Sequence, residues 1–226
     1  MLFPLVFYVI IAHYSFKVFV NNIYLKKLSI LQSKQGSMPT IDNQKFYANA
    51  IKKHGQSAKG LNWNSELYQV LRFDQLIKLL PNDIDNYTLT DVGCGFGDFY
   101  NYLSYKPKKY TGIDILEEMV LIARENTAQE IIRQDLIKSA PQVSDYIVCS
   151  GALNILTKFE TTMFLQNCYN SARKGFLFNC LVGRDSETFN YLDQKFIEEI
   201  ACSLGVNRVK YIEDYIPNDL TIGFFR

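Results

Sequence analysis

The sequence predicts an α/β fold, a doubly wound, seven-stranded and mostly parallel sheet whose last strand runs antiparallel. Three observations carry that expectation. From residue 87 onward β-rich runs alternate with helical periodicity, which forces parallel strands joined by right-handed crossovers. A glycine-spaced turn follows the first of these runs, at residues 93–97. The two closing β-rich runs are separated only by residues 214–219, too short for a helical crossover, so the last strand must reverse. The 226 residues are 48% apolar and 21% charged, enough to bury a full core and too apolar for a disordered chain. Five cysteines, an odd number without a C-x-x-C pair, encode neither a disulfide framework nor a zinc knuckle and point to a reducing compartment. With only His13 and His54, imidazole metal sites and mid-domain triads are almost closed off, and no metal is expected.

The elements follow in order. Sixteen of the first twenty residues are apolar or aromatic, interrupted by Pro4, His13, Ser15 and Lys17. This is near the length of one membrane helix, and the lysines after it would keep the following domain on the cytoplasmic side. Residues 1–37 hold four lysines and no acid, so the net +1 of the chain conceals a +4 extension and a −3 domain over residues 38–226. The extension reads three ways: a membrane anchor through residues 1–20, a helix packed on its own domain, or an upstream start preceding Met38. The expected address is cytoplasmic, attached to the inner face of the membrane if the anchor reading holds. A short helix at residues 45–53 leads to the glycine-punctuated loop 54–60. Asn64 or Ser65 then caps a helix whose Phe73, Leu76, Ile77 and Leu80 share one face, ending before Pro81. Strands are predicted at 87–92, 110–115, 130–134, 146–149, 176–181, 208–213 and 220–225. Helices are predicted at 99–105, 117–125, 160–171 and 192–204.

The chemistry concentrates in Asp91-Val92-Gly93-Cys94-Gly95-Phe96-Gly97-Asp98, an acid and three alternating glycines between a strand and a helix. Without Cβ atoms such a loop reaches positive φ and lets a ligand approach the backbone beside a helix N-terminus. A dinucleotide-binding G-x-G-x-x-G turn would need its third glycine at position 98, where Asp98 stands. With its G-x-G-x-G spacing the chain resembles the class I S-adenosylmethionine-dependent methyltransferases, in particular small bacterial ones, over residues 41–226. Three later strand ends agree. The resemblance implies that Asp114, 23 residues after Asp91, accepts hydrogen bonds from the two ribose hydroxyls of S-adenosylmethionine, as an acceptor-only carboxylate can. It implies that Asp135 and Leu136 hold the adenine, and that Ser150 lines the pocket beneath the cofactor. The implied cofactor-binding set is Asp91, Gly93, Cys94, Gly95, Gly97, Asp114, Ile115, Asp135, Leu136 and Ser150. Residues 38–80 are then an N-terminal lid and helix, and residues 87–226 the cofactor-binding core of a Rossmann-like methyltransferase fold.

That resemblance implies methyl transfer to a small-molecule acceptor by in-line displacement. Because the sulfonium cofactor is already activated, the protein's task is to align a nucleophile and exclude water. A proton acceptor is needed only for a hydroxyl or amine, and His54, Asn154, Tyr47 and the Asp214–Tyr215 pair are the candidates for contacting the acceptor. The bland alternatives are a solvated loop for His54, a turn cap for Asn154 and an ordinary polar hairpin loop for Tyr215. Cys94, Cys149 and Cys180 read as small apolar packers, and Trp63 and Phe73 as core. Ser150-Gly151-Ala152-Leu153-Asn154 lacks the acid or Asn followed by two prolines that amino-methylating nucleic-acid enzymes carry. The −3 domain offers no basic track for a phosphate backbone, so nucleic acid is not an expected partner. Two other classes stay open: a cofactor-binding regulatory or interaction module without catalysis, and an NAD-dependent oxidoreductase.

Overall fold

The computed structural model describes residues 66–183 and 189–226, all within the unit Ile41–Arg226. The expected helix at 45–53, the loop at 54–60 with His54, Tyr47, Trp63, the caps Asn64 and Ser65, and the apolar extension lie outside the described residues. Among those described, no helix is long and apolar enough to cross a membrane.

The helix α1 (Glu66–Leu79) buries Phe73, Leu76 and Leu79 and stops ahead of Pro81, as its periodicity predicts. It also buries Gln69, Arg72 and Gln75, polar side chains that a helix face buries only when they have partners. Strand β1 (Thr88–Val92) follows, then the short α2 (Asp98–Tyr102), β2 (Lys109–Asp114), α3 (Glu117–Thr127), β3 (Glu130–Arg133) and β4 (Ser144–Cys149). Helix α2 is shorter than the predicted 99–105, because Leu103 turns to extended backbone at φ −60°, ψ 123° on the way to Pro107. Helix α4 (Lys158–Ser171) starts on a capping box in which the Thr157 hydroxyl accepts from the Glu160 amide and the Glu160 carboxylate accepts from the Thr157 amide. Strand β5 (Ala172–Val182) begins at once where α4 ends.

Two further elements differ from the sequence expectation. A two-residue strand β6 (Tyr191–Leu192) pairs in parallel with Leu181–Val182 of β5. It occupies the start of the predicted 192–204 helix, which begins instead at α5 (Gln194–Leu204) because the Asp193 carboxylate accepts from the Phe196 amide at 2.7 Å and caps it there. Helical periodicity fades over the last turn and cannot place such a cap. Strands β7 (Arg208–Ile212) and β8 (Asp219–Phe225) close the chain.

The strands lie in the order β3-β2-β1-β4-β5-β8-β7, with β6 on the flank of β5. β1 pairs in parallel with both β2 and β4, so the winding direction reverses between β1 and β4. In open α/β sheets the crevice beyond the strand ends at such a reversal is where ligands bind. β8 is antiparallel to both β5 and β7, as the short 214–219 connection requires. The core of the antiparallel half is aromatic: Phe176, Phe178 and Phe224 are fully buried, with the Phe178 and Phe224 rings edge to face at 5.1 Å.

Candidate active site

The glycine turn sits at the carboxyl end of β1, and each of its glycines adopts positive φ. At Gly93, φ +72°, a Cβ would come within 2.7 Å of the Ala152 Cβ, so the β1 turn and the segment after β4 pack backbone to side chain. At Gly97, φ +84°, a Cβ would collide with the Thr127 methyl of α3. Gly97 therefore serves the packing of the turn against α3, and it does not line the cavity that Gly93, Cys94 and Gly95 line.

The turn's amides are spent inside the protein. Gly93 and Cys94 both donate to the Ile113 carbonyl, Gly97 donates to the Cys94 carbonyl, and Gly95 donates to Asp114 Oδ2 at 3.0 Å. A pyrophosphate would find none of these four N–H groups available, which argues against the dinucleotide alternative. Asp114 Oδ1 accepts from the Leu116 amide at 3.0 Å. With one amide on each oxygen, the carboxylate is held rigidly and keeps lone pairs for two further donors. Asp135 is braced in the same local way, Oδ1 accepting from the Ile137 amide and Oδ2 pairing with Lys138 at 2.9 Å.

Asp91 lies deeper. It is 2% exposed and accepts from the Tyr110 hydroxyl at 2.8 Å. Burial pushes its carboxyl up to about 7, against the Tyr110 hydrogen bond and with help from the Asp114 and Asp98 charges. Burial likewise raises Asp114, outweighing its backbone hydrogen bonds. Cys94, Cys149 and Cys180 are buried, and desolvation raises each thiol, so they pack rather than react.

One cavity gathers nine of the ten expected cofactor residues: Asp91, Gly93, Cys94, Gly95, Asp114, Ile115, Asp135, Leu136 and Ser150. Asn154 lines it too, whereas Tyr215 does not. The Tyr215 hydroxyl is turned away into a buried polar network, donating to Asp219 Oδ1, and both burial and that carboxylate raise its pKa. The cavity's other wall is made by Gln69, Arg72 and Phe73 of α1, within the stretch 38–80 that the resemblance implies to be a lid and helix but outside the expected cofactor set, and by Leu156, Phe164 and Phe189, which the sequence reading did not single out. Arg72 is anchored by Asp219, which accepts from Nε at 2.6 Å and from Nη2. Gln69 donates to Asp98 Oδ2 at 2.9 Å. Further back, polar residues interrupt the apolar runs of β5 and β8, Asn179 and Thr221, both of them 0% exposed. Among the described residues four carboxylates and one arginine line the cavity, and that arginine's charge is matched by Asp219.

Comparison with known proteins agrees with this geometry. Residues 89–175 match a family model described as a methyltransferase domain. A protein of Mycobacterium tuberculosis named "Putative methyltransferase Rv1506c" is 35% identical over 118 residues, covering 45% of this chain and 68% of that protein. In fold the chain is similar to DhpI in a complex with SAM and HEP, with a TM-score of 0.65 at 14% identity over 84% of this chain and 99% of that one. It is similar also to an S-adenosylmethionine-dependent methyltransferase from Clostridium acetobutylicum, with a TM-score of 0.57 at 13% identity over 80% of this chain and 98% of that one.

Proposed function

The chain belongs to the S-adenosylmethionine-dependent methyltransferases, and from that premise we propose that it transfers a methyl group to a small-molecule acceptor by in-line displacement in the cavity between α1 and the ends of β1, β2, β3 and β4. The single observation that carries this reading is the convergence of Asp114, its oxygens braced by Gly95 and Leu116, with Asp91 and Asp135 on one cavity beside the Gly93 turn.

The residues fit the family's cofactor. Asp114 is an acceptor-only group with open lone pairs, suited to a pair of ribose hydroxyls, and Asp135, Leu136 and Ile137 offer a polar and an apolar face for a purine. Four acidic side chains line the cavity, of which Asp91 is in part protonated near neutrality and Asp135 is paired with Lys138, and this acidic lining suits a cationic sulfonium and an ammonium better than a phosphate. Bound there, the cofactor supplies an electrophilic methyl carbon, so no protein nucleophile is required. Phe73, Leu156, Phe164 and Phe189 provide the apolar wall that excludes water and seats the body of the acceptor. Where the acceptor loses a proton, Asp91 is the cavity carboxylate poised near neutrality to hold it.

Isothermal titration tests the reading. Binding of S-adenosylmethionine in the micromolar range, together with methylated product from a metabolite screen using tritiated methyl donor, is the expected result. Well-folded protein that binds no S-adenosylmethionine would overturn it.

A further inference from the structure

Behind the cavity runs a chain of buried and half-buried side-chain hydrogen bonds whose polarity is forced. It links Ser150 after β4, Asn179 in β5, Thr221 and Asp219 in β8, Tyr215 in the turn before β8, and Arg72 in α1. Asp219 takes two N–H groups of Arg72 on Oδ2, which holds it as a carboxylate with no proton to give. The Tyr215 hydroxyl must therefore donate to Asp219 Oδ1, and this uses its only proton. Thr221 Oγ1 lies 2.8 Å from that phenol oxygen and must supply the proton of their contact. With its own proton committed, Thr221 can only accept from Asn179, which fixes the Asn179 amide with Nδ2 toward Thr221 at 2.6 Å. Asn179 Oδ1 then faces Ser150 at 3.1 Å, and Ser150 must donate to it. Four contacts from Asp219, the Ser150 hydroxyl has no proton left for the cavity that it lines.

A second oxygen points the same way. Asn154 Oδ1 is buried at the cavity wall with no hydrogen-bond partner among the described residues, while its backbone N–H and C=O are bound to Gly151 and Asn190. A buried acceptor left open costs stability unless something donates to it.

We propose that Ser150 Oγ and Asn154 Oδ1 form a hydrogen-bond-accepting wall that recognises an N–H or O–H donor of the bound ligand, and that Asp219 and Tyr215 are the positioning residues that set its polarity. This rests on the methyltransferase reading for what enters the cavity. The donor has two sources, the α-ammonium of the cofactor or a hydroxyl or amine of the methyl acceptor. A carboxylate or phosphate would present lone pairs to lone pairs.

Two titration arms on the full chain test the wall. The first compares S-adenosylhomocysteine, which carries the ammonium, with 5′-methylthioadenosine, which lacks the amino-acid tail. The second, run without nucleoside, compares catechol and tyramine with benzoate by saturation-transfer NMR. Ser150→Ala and Asn154→Leu are each expected to lose about tenfold in affinity for the donor-bearing ligand and little for its counterpart. Ser150→Thr, which keeps the hydroxyl, should retain the wild-type preference. Tyr215→Phe releases Thr221, lets Asn179 and Ser150 reverse, and should narrow the same preference about threefold, a change in selectivity that a general loss of packing would not produce. A selective loss in the first arm assigns the donor to the cofactor's ammonium, and one confined to the second assigns it to the methyl acceptor. Loss in neither arm, or tighter binding of benzoate than of catechol to the wild type, overturns the proposal. If the wild type binds neither nucleoside, the methyltransferase reading fails while the second arm still decides the wall.

Discussion

The parallel half of the sheet, β1 to β4, and the antiparallel half, β5 with β8 and β7, both place polar groups at the cavity but hold them by different means. In the parallel half Asp114 and Asp135 are braced by amides of the strand end or the adjoining glycine turn, Asp114 by Leu116 and Gly95 and Asp135 by Ile137, while Asp91 and Asp98 accept from the Tyr110 and Gln69 side chains. In the antiparallel half the bonds are side chain to side chain across long stretches of sequence, 147 residues between Arg72 and Asp219 and 42 between Asn179 and Thr221. Local bracing makes a binding group that can be removed without loosening the fold. Long-range bracing ties the shape of the cavity to the folding of α1 and β8.

The sharpest way to break that contrast is Asp219→Ala, which removes the carboxylate that both Nε and Nη2 of the buried Arg72 guanidinium donate to. A loss of about 3–5 kcal/mol in urea-unfolding stability is expected, and a loss under 1 kcal/mol would show that the network does not hold the halves together. Asp114→Ala should do the reverse. S-adenosylmethionine affinity is expected to fall by about 2–3 kcal/mol, since hydrogen bonds to a charged group are removed, while thermal stability without ligand stays close to wild type. Next in size is Gly97→Ala, which forces a Cβ onto a left-handed residue and into the Thr127 methyl. About 2 kcal/mol of stability should go, from positive-φ strain and displacement of α3, and a Gly97 variant as stable as wild type would mean that the turn does not lock to the helix.

The gentlest change to apply is in pH. The folded protein holds a proton on Asp91 up to about pH 7, whereas the unfolded chain releases it near the ordinary carboxylate value of about 4. Between those values the folded state binds more protons, so stability falls as pH rises, by at most about 1.4 kcal/mol per pH unit for this one group, and flattens above neutrality. Asp114, shifted the same way, adds to the slope. Urea midpoints from pH 5 to 8 should show the decline in wild type and a shallower one in Asp91→Asn. Equal slopes in both would remove Asp91 as its source.

Much of the fold and of the cofactor-facing side was legible in the sequence. Strand and helix periodicity gave the alternation, and the closing hairpin followed from connection length alone. Asp91 and Gly93 stood out in the turn that combines an acid with alternating glycines, and Asp114 and Asp135 because the resemblance to the class I S-adenosylmethionine-dependent methyltransferases implies acids at those strand ends. The cap at Asp193 and the strand Tyr191–Leu192 were missed because a two-residue strand exists only through its pairing with β5.

By itself, then, the sequence determined the sheet's order of events along the chain and the acidic strand ends, since both depend on interactions within a few residues. The tertiary structure alone decided that Gly97 packs against the Thr127 methyl and does not line the cavity, that Tyr215 faces a buried carboxylate and not the cavity, and that Leu156, Phe164 and Phe189 join α1 in the opposite wall. The polar groups of the α1 wall depend on partners that folding brings within hydrogen-bond reach across 29 to 147 residues, and no periodicity encodes a donor's partner at that separation.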